Sequence, residues 1–511
     1  MTLGTYAFEV DFANDGAYSG NDDITAFLVM LDCVRGRDRA SQLTGRSTAG
    51  RLTARLNNTS GRFSSFNAAS PLYGNLRPGR AVRLRMTTPT AATLWTGRLD
   101  RIIPAPAINR IPTAELVAFG PLARLQQARV DAAMSTAVLT GTAIGSILDA
   151  VGWATTTNDR RLDAGQLSMT RWWADNQVAI AALRDIEDSE IGFLYEGASG
   201  HFVFQDRTAR LRSPYTVSQV TLSDAAGATA RYAQAEQRDP LAEIYNFMEA
   251  TIRLYSSGGS TTLWTHPEST AGSLSPQLAT GETKTFWARY PNPAVPTSAV
   301  AVDVWTTPTT ADYSANDQAN GGGADRTANI SLAVTKYATR MRIDVTNNFA
   351  STVFLTRLAA RGIPLTGSDP VQIIQQDSAT SQAIYGLRRF ANPGPWLGDS
   401  SYAANWGLFN LGIYKDPLPF LALTIRANRD NSHLTQVATR EVSDRITVVA
   451  TGDAGLGISQ DFFIESIRHR LSRAGAEHLT TWELSPVDPG YGGGYWTLDV
   501  SKLDTESRLA F

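Results

Sequence analysis

The side chains best suited to metal binding or proton transfer are five histidines spread along the sequence, namely His201, His266, His433, His469 and His478. No two of them have the spacing that puts two ligands on one face of a helix. The single cysteine, Cys33, excludes both an intramolecular disulfide and a multi-cysteine metal site. It lies in an apolar run, which is typical of a buried side chain. We therefore expect neither a metal site nor a cofactor site.

Paired carboxylates can hydrolyse a glycosidic bond, and such pairs meet only in space. Four acids are predicted near strand ends late in the chain, namely Asp444, Asp461, Glu465 and Glu483. With 48 acidic residues in the chain, some proximity is inevitable and carries little weight. The sequence also lacks a G-x-S-x-G nucleophile motif, a G-K-[ST] phosphate loop and a strand-led G-x-G-x-x-G motif. We predict that the chain is not an enzyme and that it has no catalytic residues.

The chain has 11 tryptophans, and the candidates for stacking on sugar rings are Trp172, Trp173, Trp396 and Trp406. Tryptophan serves equally well in cores and subunit interfaces, because it offers a large apolar area with one hydrogen-bond donor. The alternative function is therefore a carbohydrate-binding or receptor-binding protein, with a glycoside hydrolase as the third hypothesis. Exposed coplanar tryptophans would favour the binding protein, and a shallow cleft with paired carboxylates would favour the hydrolase.

The composition is that of an ordinary folded protein. Hydrophobic residues make up 43% of the chain and charged residues 18%. A chain of 511 residues is too long for one core, so we expect several domains. The formal net charge of -2 provides no general attraction to nucleic acid or to an anionic membrane. No stretch approaches the length of a membrane span, and the N-terminus lacks the layout of a signal peptide.

The stretch from Gly45 to Ile102 contains short alternating strands joined by turns. Apolar and polar side chains alternate over Arg51–Leu56 and again over Val82–Met86, which is the period of a half-buried strand. A third strand is predicted from Leu94 to Ile102, with a bend at Gly97. Short strands linked by Pro- and Gly-bearing turns indicate a barrel or a sandwich.

A small α+β module is expected next. Thr142 can cap a helix that buries Ile144, Ile147 and Leu148, and a second helix is predicted from Asp175. A hairpin should follow at 193–204. Residues 256–365 are rich in Thr, Ser, Pro and Gly, with alternating segments that favour a β-sandwich inserted between a linker at Tyr255–Ser260 and an exit at Leu365–Pro370.

Four more strands are predicted between Leu418 and Leu484, and they weakly echo the first barrel. Leu99–Ile102 followed by Thr113–Leu116 parallels Ile464–Ile467 followed by Thr481–Leu484. Whether this reflects a structural duplication is left open by the sequence. The expected domains are a first β-barrel (1–130), the α+β module (131–214), connecting β-strands (215–255), the inserted β-sandwich (256–365), a second β-barrel (366–486) and a C-terminal tail (487–511).

Several of these segments resemble the hub proteins of long-tailed phages, also called baseplate hub or minor tail proteins. In the first barrel the resemblance rests on Gly50, Leu52, Leu56-Asn57, Gly61–Phe63, Ser70–Gly74, Arg77–Arg85 and Thr93–Asp100. Further along it rests on Ile147–Gly152, Ala182-Leu183, Gly192–Tyr195, Leu358–Gly362, Pro364, Tyr385–Arg388, Ser443–Thr447, Phe463–Glu465, His469 and Thr480–Pro486. Each motif is weak, but their order and spacing cover nearly the whole chain.

The resemblance implies two tail-tube-like β-barrels per chain with smaller domains outside them. It implies a homotrimer whose six barrels form a ring that closes the tail tube, adapts sixfold to threefold symmetry and lets DNA pass on infection. The implied partners are a distal tail protein ring, a tape-measure protein, a tip or fibre protein and DNA passing without specific binding. The implied location is the virion tail tip, after synthesis in the host bacterial cytoplasm.

Overall fold

The computed structural model describes residues 4–38, 40–108, 110–238, 241–266, 275–290, 299–367, 372–452, 455–472 and 475–487. Within these ranges the chain is mainly β, with several sheets and five α-helices. The first strands are β1 (Thr5–Val10), β2 (Leu28–Arg37), β3 (Ser47–Asn57), β4 (Ala81–Thr88), β5 (Ala92–Ala105) and β6 (Thr113–Phe119). No helix in the described ranges is long and apolar enough to cross a membrane.

The next elements are β7 (Arg129–Leu139), α1 (Thr140–Ala150), β8 (Arg160–Leu162), β9 (Ser168–Val178), α2 (Ala179–Glu190), β10 (Phe193–Glu196), β11 (Phe202–Gln205), β12 (Thr221–Ser223) and β13 (Gln234–Arg238). They are followed by β14 (Phe247–Ile252), β15 (Tyr255–Ser257), β16 (Thr261–His266), β17 (Gln277–Leu278), β18 (Thr283–Arg289), β19 (Ala299–Thr306), β20 (Tyr313–Asn316), β21 (Ile330–Lys336), β22 (Arg340–Asn347) and β23 (Val353–Gly367). The last are β24 (Gln372–Asp377), α3 (Ala379–Tyr385), β25 (Arg389–Ala391), α4 (Ser400–Tyr414), β26 (Phe420–Arg426), α5 (Asn431–Thr439), β27 (Arg445–Ala450), β28 (Ile458–Ser472) and β29 (Glu477–Pro486).

A twelve-stranded sheet joins the beginning of the chain to its end. Its order is β1-β4-β5-β6-β3-β2-β28-β29-β26-β13, and β27 pairs with both β28 and β12. One continuous hydrophobic core lies against this sheet, with Phe8 and Trp95 from the early strands and Ile464 and Trp482 from the late ones. The alternation read in the sequence is the cause, since Leu52, Ala54 and Leu56 are all fully buried while Arg51 and Arg55 are exposed.

The same five-strand unit occurs twice in this sheet. The first unit has the order β4-β5-β6-β3-β2 and the second has β27-β28-β29-β26-β13, and all neighbouring strands within each unit are antiparallel. The strands also follow one another along the chain in the same sequence in both units. The second unit is interrupted between β13 and β26 by the elements from β14 to α4. Strands β12 and β13, which we expected to be connecting strands, therefore belong to the sheet of the second unit.

Local irregularities are repeated as well. A bulge interrupts the β5–β6 ladder between Leu99 and Arg101, and another interrupts the β28–β29 ladder between Ile464 and Ser466. The two hairpins therefore match residue by residue, with Leu99 equivalent to Ile464. The parallel seen in the sequence aligns β5 with β28 correctly. It aligns β6 with β29 two residues out of register, because Leu116 corresponds to Trp482 and not to Leu484.

The turn that leads into β4 is repeated in the turn that leads into β27. The Gly79 N–H donates to the Leu99 carbonyl at 2.7 Å, and the Ser443 N–H donates to the Ile464 carbonyl at the same distance. Both turn residues have a left-handed backbone, with φ of +83° at Gly79 and +73° at Ser443. Glycine adopts this conformation without steric cost, whereas serine does not. The repeated backbone is therefore kept at Ser443 despite an unfavourable residue.

The α+β module differs from expectation in where its second helix begins. The hairpin β10–β11 is confirmed, and α1 buries Ile144, Ile147 and Leu148 as predicted. The prediction that Thr142 caps this helix is wrong, because α1 begins at Thr140 with Leu139 at the N-cap position. The prediction that a helix starts at Asp175 is wrong, because β9 continues to Val178 and pairs with β7, so α2 begins at Ala179. This segment is a strand because Trp172 and Ala174, two residues apart, both point into the core.

The block predicted as the second barrel also contains three helices that the sequence analysis did not predict. Helix α4 is apolar on nearly all sides, with Leu408 exposed and Trp406 and Leu411 buried, so it shows no helical period. Asp399 caps it by accepting bonds from the Ser401 and Tyr402 N–H groups. Helix α4 packs on β14 and β24, and its core is continuous with that of α1 and α2.

The β-sandwich has a separate core. Strands β15, β16, β17, β19 and β20 pair with the long β23, and β18, β22 and β21 form the facing sheet. Its entry and exit strands are neighbours, because Tyr255 pairs with Gly367. The predicted entry linker is thus partly strand, and residues 368–370 of the predicted exit lie outside the described residues. Ion pairs join the sandwich to the β7–β9 ribbon, namely Arg340–Asp131 at 2.6 Å, Arg340–Asp175 at 3.6 Å and Arg171–Asp303 at 3.2 Å.

Candidate functional site

The four acids considered for catalysis are each engaged by an arginine. The ion pairs are Asp444–Arg440, Asp461–Arg445, Glu465–Arg210 and Glu483–Arg238. Burial raises the pKa of Asp444 to about 6, although Arg440 opposes it. Burial also raises the pKa of Glu483. These contacts give each acid a structural partner of opposite charge.

The histidines are placed for packing and hydrogen bonding. His469 Nδ1 lies 3.1 Å from His478 Nε2, and the Tyr6 hydroxyl lies 2.8 Å from His478 Nδ1. Burial lowers the pKa of His478 to about 3 and that of His469 far below its ordinary value. His201, on β10–β11's turn, has its pKa lowered to about 4 by burial. Among the described residues no three His, Cys, Asp or Glu side chains are grouped to hold a metal ion.

The tryptophans considered for sugar stacking are packing residues. Trp172, Trp396 and Trp406 are buried. Trp173 is partly buried and meets Trp396 edge-on, with 4.9 Å between ring centroids and 77° between planes. On the sandwich, Trp287 is 41% exposed, and its ring lies 5.9 Å from that of Tyr337 at 30°. This last pair is tilted and does not form a flat platform.

A buried charge cluster joins both units to the α+β module. Glu465 is the extra residue of the β28 bulge, and Arg210 binds both of its oxygens at 2.5 and 3.0 Å. Arg37 of β2 lies 3.6 Å from Glu465 and 3.8 Å from Glu187 of α2. Both guanidinium groups lie over the Phe193 ring, with centroid distances of 5.1 Å for Arg37 and 3.9 Å for Arg210. All four charged side chains are buried, and their charges balance.

The equivalent bulge residue in the first unit is Asp100, which is partly exposed and forms an ion pair with its neighbour Arg101. The bulge is therefore common to both units, but only the second uses it to hold the module. Burial would raise the pKa of Glu465, and the Arg210 charge overcomes this and lowers it. Sequence reasoning singled out Glu465 as a possible acid and missed its partners, which are distant in the chain. The available signal was a glutamate within the apolar run Phe463-Ile464-Glu465.

A second buried carboxylate fastens the module to the first unit. One Glu196 oxygen accepts from the Gly50 N–H at 2.7 Å and the other accepts from the Leu122 N–H at 3.0 Å. A Cβ on Gly120 would lie 1.8 Å from this carboxylate, so the close approach requires glycine there. Burial raises the pKa of Glu196 to about 7. Sequence reasoning did not identify this contact.

The two units are joined by the ladder between β2 and β28. Pairing runs from Met30 opposite Ser472 to Gly36 opposite Ser466. On the outer face of this joint, Asp32 pairs with Arg468 at 2.5 Å and with Arg470 at 3.4 Å. A groove of about 760 Å³ runs along this face and is lined by β2, β28, β29, β26 and β13. In its wall Arg238 pairs with Glu483, while Arg468 and Arg470 share the nearby Asp32.

The arrangement is suited to building a wall. A sheet that continues from one unit to the next has no free edge at the joint, and its outer face carries ion pairs such as Asp32–Arg468 and Glu483–Arg238. The continuous sheet and the ion pairs on its outer face therefore hold the two units in one rigid wall.

No family model and no curated protein matches the sequence. Among solved structures, the fold is similar to that of a tail protein from Neisseria meningitidis, with a TM-score of 0.50, 9% identity and coverage of 94% of this chain and 97% of that chain. It is also similar to the 43 kDa tail protein of prophage MuSo2 from Shewanella oneidensis, with a TM-score of 0.49, 10% identity and coverage of 95% and 99%. The similarity at a TM-score of 0.50 extends over nearly the whole of both chains, and it shows that this chain and the Neisseria meningitidis protein share a fold.

Proposed function

We propose that the chain is a baseplate hub, a structural component of a phage tail tip. In this proposal three copies form a ring that closes the tail tube, matches sixfold to threefold symmetry and lets DNA pass on infection. The observation that carries the proposal is the repeated five-strand unit, since three chains with two equivalent units each present six similar units around one axis.

The surface chemistry supports a passage more than a binding site for DNA. Proteins that bind DNA tightly neutralise its phosphates with unpaired lysines and arginines. On the outer face of the joint, Arg468 and Arg470 share Asp32, and Arg238 faces Glu483. These ion pairs weaken the attraction of the face for DNA phosphates, which suits a duplex that has to slide past.

The proposed partners are a distal tail protein ring, the tape-measure protein and a tip or fibre protein, and the proposed location is the tip of the virion tail. We also propose that the chain has no catalytic activity. Incubation with host peptidoglycan or capsular polysaccharide should then release no soluble fragments. Release that is abolished by Asp461→Ala would overturn this part of the proposal.

The test of the main proposal is a reconstruction of the intact tail from a phage that encodes this chain. We expect three copies at the tip, with six similar sheet units surrounding a channel wide enough for a DNA duplex. One copy or six copies per tail would refute the trimeric ring. A position on the side of the tail, away from the axis, would favour the alternative of a carbohydrate-binding or receptor-binding protein.

A further inference from the structure

The β5–β6 hairpin is the counterpart of the β28–β29 hairpin, but it lacks the neighbour that β28 has. Residues Ser466–Ser472 of β28 pair with β29 along one edge and with β2 of the first unit along the other. The matching part of β5, Arg101–Ala105, pairs with β6 along one edge. Among the described residues, no strand pairs with its other edge.

This hairpin also carries exposed apolar side chains. Ile103 is 46% exposed, Ile111 is 66% exposed and Ile108 is fully exposed. At the corresponding end of the other hairpin, the rings of His478 and Tyr6 meet edge-on at 5.5 Å, so that end is covered by the first unit. A group of exposed isoleucines on one projecting hairpin marks an interaction surface.

The matching receptor is the edge of β13. In the first unit β2 pairs with β3 and receives β28, and in the second unit β13 pairs with β26 in the same register. Asp32 lies opposite Thr53 and Glu236 lies opposite Ala422, and these two positions are equivalent. Strand β13 is the last strand at its end of the sheet within the described residues.

We propose that the β5–β6 hairpin of one copy pairs with β13 of a second copy, as β28–β29 pairs with β2 within the chain. The register follows from the internal joint, where Arg468 lies opposite Val34 and Arg470 opposite Asp32. Ile103 then lies opposite Arg238 of the second copy, and Ala105 lies opposite Glu236. The proposal rests on the proposed ring and names the surfaces that form its three joints between chains.

The pairing is chemically consistent with the internal joint. Inside the chain an exposed valine on the receiving strand lies beside an arginine of the hairpin, namely Val34 and Arg468. Between chains the types are exchanged, with the arginine on β13 and the apolar Ile103 on the hairpin. An arginine can cover an apolar neighbour with its aliphatic stem and keep its charge in water, whichever strand it comes from.

Two prolines distinguish this joint from the internal one. Pro104 and Pro106 stand where His469 and Leu471 face Cys33 and Leu31 in the internal joint. They supply carbonyl acceptors but no N–H donors, so the joint between chains has fewer ladder bonds than the internal joint. Prolines on an edge also discourage pairing with unrelated strands. The isoleucine contacts then provide more of the stability and the selectivity.

The test is disulfide trapping in the purified full-length chain. Directly opposite residues in antiparallel strands have Cβ atoms about 5 Å apart, which is close enough for a disulfide after small adjustments. Chains with Ile103→Cys are mixed with chains carrying Arg238→Cys and oxidised at high protein concentration. The chain with both substitutions is oxidised separately. Val34→Cys with Arg468→Cys is the positive control, since it forms a bond within one chain.

We expect the mixture to give covalent dimers and the doubly substituted chain to give species up to the trimer. Ile103→Cys with Gln237→Cys is the register control and should give no such species, because successive residues of a strand, here Gln237 and Arg238, point to opposite faces. Absence of a bond between chains, while the control pair oxidises, overturns the proposal. If the intact tail nevertheless contains three copies, then only this joint is wrong and the proposed function stands.

Discussion

The charge cluster around Glu465 should be the most sensitive point of the structure. The perturbation is Glu465→Gln, which keeps the size of the side chain and removes its charge. Arg210 and Arg37 then stay buried beside Phe193 without the carboxylate that lies 2.5 Å from one and 3.6 Å from the other. Glu187 is the remaining acid, at 3.8 Å from Arg37.

Removing one partner of a buried ion pair destabilises a protein by about 3 to 5 kcal/mol, because the other charge stays buried and uncompensated. Glu465 is fully buried and Arg210 nearly so, so the full effect applies here. For a folding unit of this size the loss corresponds to a fall in Tm on the order of 10 °C. Arg468→Met is the matched control, since it breaks a half-exposed ion pair on the same strand and should cost less than about 1 kcal/mol.

The assay is thermal unfolding followed by intrinsic fluorescence, because Trp482 lies in the core shared by both units. The double variant Arg210→Met with Glu465→Gln removes both members of the main pair. We expect it to lose less stability than the two single variants add up to, since neither charge of that pair remains. A Tm of Glu465→Gln within 1 °C of the Tm of the Arg468→Met control would refute the reasoning.

Three further predictions follow from other contacts. Replacing the segment between Tyr255 and Gly367 with a short Gly-Ser turn should leave the remaining chain soluble, because these two residues are paired neighbours and closing the gap costs only ~1 kcal/mol; an insoluble product would show that the sandwich belongs to the main core. His478 is neutral when folded, with a pKa of about 3, so stability should fall as the pH falls from 6.5, by about 2 kcal/mol at pH 5. His478→Gln should remove this part of the pH dependence in urea titrations at each pH, and the remainder should come from His469 and His201, whose pKa values burial also lowers. Glu196 acts in the opposite sense, because its folded pKa of about 7 favours the protonated form, so its contribution is complete below pH 4.5 and is lost as the pH rises to about 7. The free energy of unfolding of Glu196→Gln, relative to that of the wild type, should therefore rise by about 2 kcal/mol between pH 5 and 8. If the difference between the two proteins does not change with pH, then the raised pKa is wrongly assigned to Glu196.

Many strands could be predicted from the sequence, because apolar and polar residues alternate with a two-residue period in a half-buried strand. Arg51–Leu56 and Val82–Met86 were found for that reason. Helix α4 was missed because it is apolar on nearly all sides and leaves no period to read. The limits of α2 were misjudged because Asp175, a plausible helix start, lies on an exposed position of a strand.

The charge cluster and the joint were beyond sequence reasoning for a different reason. Arg37 and Glu465 are brought together by pairing between β2 and β28, which lie at opposite ends of the chain. No local pattern encodes such a partner. The duplication was only half visible, because the bulge matched in the first hairpin strands while the alignment of the second strands was shifted by two residues. The register became clear only from the ladder.

The long interruption of the second unit bears on the order in which the chain can fold. Strand β13 is synthesised well before its pairing partner β26, and β2 well before its partner β28, which is among the last strands made. Contacts between residues so far apart in sequence form slowly, because a long loop must close before they give any stability. The first unit can fold while its β2 edge is still uncovered. A truncated or unfinished chain therefore never gains the joint between its units, so only completed subunits present a full pair of units for assembly.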